Sequence, residues 1–214
     1  MSKSITQAVG VPAMLAIAMY IAFQIFSDVL STKIALLPLI GLAVDGGTII
    51  YPLTFTVRDF VHKTLGKDMA RKVVITAAIL NIVMVVLFWI IGTLPADPYW
   101  GLQDAYMAIL MPVWRITLAS IVAEVFSELV DTEIFSRIYH RFEGKKDTLA
   151  VLASNGVALV IDSVIFSVIA FAGALPWNVV GEIIIANILI KGVMSLLSAP
   201  IVNLVPRKVK MSEM

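Results

Sequence analysis

The chain has 214 residues, of which 60% are hydrophobic and 14% charged, with a net charge of +1 and a mean hydropathy of +0.96. Soluble domains carry about 25% charged residues, so there is too little polar surface here to wrap a globule of this size, and the composition indicates an integral membrane protein. Near-neutral charge gives no reason to expect a direct nucleic-acid partner. The lack of cysteine excludes disulfides and thiolate sites, and two histidines, His62 and His140, leave little for a metal centre, so no cofactor is expected.

In chain order, Lys3 precedes the apolar run "VPAMLAIAMYIAFQIF". No small-residue cleavage site follows, and the run continues past Leu30 to Leu39, so a first span rather than a cleaved leader is expected. Six segments reach the length of about 20 residues that a bilayer needs: 11–38, 47–65, 71–94, 109–136, 149–174 and 178–204. The second is the least apolar, because Arg58 and Asp59 interrupt it. Spans in lipid must satisfy their own backbone groups, so an all-α polytopic protein forming a single transmembrane domain is expected.

Lysine and arginine collect in alternate connections. The second holds Lys63, Lys67, Arg71 and Lys72; the fourth holds Arg137, Arg141, Lys145 and Lys146; the tail holds Arg207, Lys208 and Lys210. The first, third and fifth hold Asp45, Asp97 and Asp104 but no Lys or Arg. The alternation puts both termini in the cytoplasm, with Tyr99, Trp100 and Trp177 at the outer interface.

Polar residues inside the spans carry the functional signal, since each costs roughly 2.5–3.5 kcal/mol or more at mid-bilayer when ionised. Glu124, Asp162 and Lys191 each stand about half-way along spans four, five and six. Span four carries Thr117, Ser120, Glu124, Ser127, Glu128 and Asp131 at spacings that place them on one helical face. Span five adds Asn155, Asp162, Ser163 and Ser167; span six adds Asn187 and Lys191; span two adds Arg58 and Asp59; span one adds Gln24 and Asp28. Arg58, Asp59 and Asp131 equally suit an inner interface. Arg115 and Glu182, near outer ends, suit snorkelling, and Asn81 suits helix–helix hydrogen bonding. An Asp162–Lys191 ion pair would add little stability over apolar packing, which favours a ligand or pathway role. No nucleotide-binding loop and no HExxH zinc motif occurs, so no catalytic residue is expected.

Four segments, "YPLTFTVRDFVHKTLGKDMARK" (51–72), "RITLASIVAEVFSELVDTEIFSRI" (115–138), "ASNGVALVIDSVIFSVIAFAG" (153–173) and "LIKGVMSLLSAP" (189–200), together resemble the queuosine precursor transporter family, also called the vitamin uptake transporter family. The match runs through Pro52, Asp59, Gly66, Arg71, Arg115, Ala119, Ser120, Asp131, Ser154, Asp162, Phe166, Lys191 and Pro200. The pattern often has Glu at Lys63 and an aromatic at Glu124. The resemblance implies a six-helix importer in the bacterial or archaeal inner membrane, with 7-cyano- and 7-aminomethyl-7-deazaguanine as substrates for tRNA queuosine salvage.

A guanine-like edge offers a ring N–H beside an exocyclic amine, which a carboxylate accepts as a pair. Asp162, Glu128 or Glu124 suits this role, with Lys191 or an Asn amide on the carbonyl oxygen and Phe166, Phe126 or Tyr51 stacked on the ring. The candidate binding set is therefore Glu124, Glu128, Asp162, Lys191, Asp131, Asn155, Ser120, Phe166 and Asp59. Partners are a small 7-deazaguanine and the lipid bilayer, with a second copy of the chain left open. Two rivals stand beside this reading. One is the substrate-binding subunit of an energy-coupling-factor transporter, to which Ala18 and Ala22 would offer a small-residue pair. The other is an intramembrane enzyme using Asp131 and Asp162.

Overall fold

The computed structural model describes residues 11–38, 40–141 and 147–204. The basic residues Lys3, Lys145, Lys146, Arg207, Lys208 and Lys210 lie outside these, as do the side chains of Asp59, Lys63, Lys67 and His140. The described chain runs α1 (Val11–Leu30), β1 (Ile34–Leu36), β2 (Ala43–Asp45), a single 3-10 turn (Gly46–Ile49), α2 (Tyr51–Leu65), α3 (Lys67–Thr93), α4 (Gln103–Leu110), α5 (Val113–Arg141), α6 (Asp147–Phe171) and α7 (Trp177–Leu204). Five segments are long and apolar enough to cross a membrane: Val11–Leu30, Asp68–Thr93, Gln103–Ile138, Ala153–Phe171 and Trp177–Leu197. The protein is an all-α polytopic membrane protein.

The first two expected spans differ from the helices found. The first helix ends at Leu30 rather than at residue 38, because its last turn is rich in side chains that compete for backbone bonds. Thr32 Oγ1 donates to Val29 O at 2.7 Å, and Ser31 reaches away to Asp45. The apolar residues that follow form an antiparallel hairpin, with Ile34 opposite Asp45 and Leu36 opposite Ala43. The expected second span is helical only from Tyr51. Pro52 suits the start of α2, and Gly66, at φ 88°, ends it in a conformation that side chains rarely adopt and leads straight into α3. At about 22 Å, α2 is too short to cross a hydrocarbon core of about 30 Å. The hairpin and the 3-10 turn stand in series with it. A further departure is α4, a short helix between α3 and α5, held by Gln103 Nε2 donating to Gly92 O at 2.7 Å.

Contacts with α7 give the depth of each piece. Descending from Trp177, Glu182 meets Ala43, Asn187 meets Thr48, and Lys191 meets the Tyr51 ring. At 1.5 Å per residue these lie about 8, 15 and 21 Å below the helix start. The hairpin therefore lies beside the N-terminal half of α7, and α2 begins beside its middle. Irregular backbone at such depth survives only when protein buries it or a cavity lies beside it. Here Asp45 caps the 3-10 turn, accepting from Thr48 N at 3.1 Å and Thr48 Oγ1 at 2.7 Å. Gly47 lies so close to α1 that a Cβ would sit 2.1 Å from Ser31 Oγ and 2.4 Å from Ser27 O.

Two apolar cores result. One joins α1, α2 and α3 through Ala16, Tyr20, Val61, Val73 and Ala77. The other joins α5, α6, α7 and β2 through Ile116, Ala119, Phe166, Phe171 and Ile183. Apolar side chains on the outside of α3, such as Ile79, Leu87 and Trp89, remain exposed, as a lipid-facing helix requires. The seam between the two cores is polar.

Candidate functional site

The seam is built from one face each of α1, α2, α5, α6 and α7, with the 3-10 turn inserted among them. A narrow cleft in it is lined by Ser27, Ser31, Asp45, Thr48, Tyr51, Ser120, Asp162, Phe166 and Lys191. At its floor Lys191 Nζ donates to Asp162 Oδ2 at 2.6 Å, and both side chains are more than nine-tenths buried. The same ammonium lies 4.6 Å from the centre of the Tyr51 ring and 5.8 Å from that of Phe166. Two aromatic faces and a carboxylate thus surround one cation, a desolvated setting in which cation–π attraction is strong.

Towards the hairpin the polar groups are neutral donors and acids. Asp28, 1% exposed, accepts from Thr117 Oγ1 at 2.7 Å and from Ser120 Oγ at 3.0 Å. Ser31 Oγ donates to Asp45 at 2.7 Å, and Ser27 Oγ to Gly47 O at 3.2 Å. Thr48 Oγ1 also meets Asn187 Oδ1, and Asn187 Nδ2 reaches Ser167 Oγ at 3.4 Å. On the side of the cleft away from the hairpin the groups are charged pairs. Arg58 lies 4.0 Å from Glu124 Oε1 and 3.6 Å from Glu128 Oε1. Tyr20 OH donates towards Glu124 at 3.5 Å and itself accepts from Gln24 at 2.9 Å.

The sequence-derived candidates separate into three groups. Asp162, Lys191, Phe166 and Ser120 are brought together around the cleft. Glu124 and Glu128 sit below it with Arg58, and the Glu128 side chain is 64% exposed. Asp131 is half-buried further along the same face of α5, and its Oδ1 has no hydrogen-bond partner among the described residues. Asn155 is not part of the cluster. It is exposed, two turns nearer the start of α6 than Asp162. Arg115 and Glu182 do not snorkel. Arg115 donates to the carbonyls of Ile169 and Ala172, closing the end of α6, and Glu182 accepts from Ala43 N at 3.0 Å. Asn81 is buried, but its Oδ1 finds no partner among the described residues.

Sequence reasoning missed the part played by Asp45 and its neighbours, because a Gly-rich segment with an Asp reads as an outer loop. It also missed that Tyr51, Phe55, Arg58 and His62, at spacings of four, three and four, form one continuous face of α2. Tyr51 packs edge-on to Phe55 at 5.2 Å, and Arg58 lies 5.4 Å from the Phe55 ring, so this face leads from the cleft to the Arg58, Glu124 and Glu128 group.

Comparison with known proteins adds three findings. A family model described as "Putative vitamin uptake transporter" matches residues 45–205. A protein of Bacillus subtilis (strain 168) named "Probable queuosine precursor transporter" is 30% identical over 167 residues, covering 76% of this chain and 71% of that protein. No solved structure matches at a significant level.

Proposed function

The chain belongs to the vitamin uptake transporter family, and on that premise we propose that it imports queuosine precursors, 7-deazaguanine bases, across the inner membrane of a bacterium or archaeon. It acts as a carrier and not as an enzyme, with both termini cytoplasmic. The observation that carries the reading is the mid-depth placement of Asp162 and Lys191 between the rings of Tyr51 and Phe166.

The chemistry of the cargo suits this arrangement. The ring N–H and exocyclic amine of a guanine edge bind a carboxylate as a pair, so Asp162 is the acceptor. Lys191, drawn off Asp162 by the arriving base, donates to the carbonyl oxygen. Tyr51 and Phe166 offer faces on which a flat heterocycle stacks, an interaction worth about 1–3 kcal/mol per base. Ser120 and the hydroxyls around Asp45 complete a polar wall. Glu124, Glu128 and Asp131 lie on the exit side and help hold the electrostatics of the path.

Calorimetric titration of the purified protein with 7-cyano-7-deazaguanine tests the reading. Saturable binding by the wild type that is lost in Asp162→Asn, with guanine as the comparison ligand, is the expected result. A well-folded wild type that binds no deazaguanine would remove the substrate assignment. Uptake into vesicles that hold no other protein separates a self-sufficient carrier from a subunit that depends on an ATPase partner.

A further inference from the structure

We propose that Asp45 is the residue that reads the substituent on the base, and that it makes the cleft favour a 7-deazaguanine carrying an ammonium group at position 7 over one carrying a nitrile. This deepens the reading of the cleft as the cargo site and rests on it.

At the hairpin end of the cleft the serine hydroxyls have already given their hydrogens away. Ser27 Oγ donates to Gly47 O at 3.2 Å, Ser31 Oγ to Asp45 Oδ1 at 2.7 Å and Ser120 Oγ to Asp28 Oδ1 at 3.0 Å. A hydroxyl has one hydrogen and two lone pairs, and an ionised carboxylate only accepts. This end of the cleft therefore turns lone pairs towards a ligand. A nitrile nitrogen is itself an acceptor and finds no hydrogen from these side chains. An ammonium brings three N–H donors.

Asp45 is where a donor is short. Thr48 Oγ1 stands against two acceptors, Asp45 Oδ2 at 2.7 Å and Asn187 Oδ1. Its single hydrogen serves one of them. Asn187 Nδ2 is taken up by Ser167 Oγ at 3.4 Å, which keeps Oδ1 on the Thr48 side. Asp45 is 1% exposed and Asn187 is fully buried, so bulk water does not supply the missing hydrogen. A donor from the cargo on Asp45 Oδ2 frees the Thr48 hydrogen for Asn187, and every oxygen is then answered.

Charge acts in the same direction. Asp162 is answered by Lys191. Asp28 and Asp45 are held by hydroxyls and a backbone N–H, and neither has an ion-pair partner among the described residues. Two buried carboxylates without a cation attract one strongly.

The order of groups also fits. Around a 7-deazaguanine the amine and ring N–H come first, then the carbonyl, then the substituent at position 7. Along the cleft Asp162 comes first, then Lys191. One turn of α7 away, about 6 Å nearer its start, Asn187 meets Thr48, which meets Asp45. A base with its amine edge on Asp162 and its carbonyl on Lys191 carries its substituent towards Asp45. The carboxylate there also offsets repulsion between the ammonium and Lys191.

The test titrates purified protein by calorimetry with 7-aminomethyl-7-deazaguanine and with 7-cyano-7-deazaguanine, and reads the ratio of the two affinities within each variant. The wild type is expected to bind the aminomethyl base at least about tenfold more tightly, the scale of a hydrogen bond between charged groups. Asp45→Asn keeps a side chain able to cap the turn and removes the charge, so the ratio is expected to fall towards one. Ser31→Ala takes a donor from Asp45 and leaves the carboxylate freer for the cargo, so the ratio is expected to rise. A wild type that binds the two bases equally, or prefers the nitrile, overturns the proposal without any variant. An Asp45→Asn protein that keeps the wild-type ratio, whatever its absolute affinities, overturns it too, as does a Ser31→Ala protein whose ratio does not rise. A wild type that binds neither base overturns the cleft reading and this proposal with it.

Discussion

Two kinds of buried carboxylate share the seam. Asp28 and Asp45, towards the hairpin, are 1% exposed each and are met by hydroxyls and a backbone N–H. Asp162 and Glu124, at and below the middle, are met by Lys191 and Arg58. Hydroxyls and amide groups cannot leave with a ligand or change charge, so the acids towards the hairpin fix a shape: they pin an irregular turn between helices where lipid would forbid it. A cation on a long side chain can be exchanged for a donor from a ligand or released by a proton. Asp162 and Glu124 therefore have two states available to them, and Asp28 and Asp45 have one.

The largest effect that would break this distinction belongs to Lys191. Replacing it by Met leaves Asp162 buried beside two rings with no counter-charge, and losing one partner of such a pair costs about 3–5 kcal/mol. A steep fall in unfolding temperature in detergent is expected. The double variant Asp162→Asn with Lys191→Met removes both charges and is expected to regain most of that stability while binding no deazaguanine. If the double variant stays as unstable as the single one, the pair is structural and belongs with Asp28 and Asp45.

Gly47→Ala comes next. A Cβ there would meet Ser31 Oγ at 2.1 Å and the backbone oxygen of Ser27 at 2.4 Å. The hydroxyl can turn aside, but the carbonyl cannot, and overpacking of this kind costs about 1–3 kcal/mol. The 3-10 turn should lift from α1, and circular dichroism should show the helices intact while the unfolding temperature falls. Asp45→Ala acts on the same turn by removing its cap, at about 0.5–2 kcal/mol. Its effect on deazaguanine affinity is expected to be smaller than that of Asp162→Asn, although both residues line the cleft.

These residues also show what the sequence could and could not reveal. Long apolar helices are legible because composition alone drives them into lipid. Asp162 and Lys191 are legible because a charge half-way along an apolar run has no cheap alternative to a polar partner. Asp45 was read as a loop residue, since nothing in "GLAVDGGTII" says that the loop folds back between the helices; that depends on Asn187 and Glu182, 139 residues away in each hydrogen bond. Asn155 was included because helical spacing puts it on the face of Asp162, but spacing does not say where the neighbouring helices stop covering that face.

The smallest effect concerns Arg115, a cation that the sequence placed at an interface and the structure places on two carbonyls at the end of α6. Its role there is to satisfy acceptors that a helix end leaves open and to meet the negative end of the helix dipole. Arg115→Gln keeps some donor capacity and loses the charge, so a loss of about 1 kcal/mol is expected, seen as a modest drop in unfolding temperature. Arg115 touches neither the cleft nor Arg58, so deazaguanine affinity should stay at the wild-type value. Lys191 and Arg115 would then stand as opposites: two cations on membrane helices, one whose loss removes binding and one whose loss only loosens a helix end. A measured fall in affinity for Arg115→Gln would mean that the outer end of α6 moves with the cleft, and the boundary between the fixed and the switchable parts of the seam would have to be drawn further out.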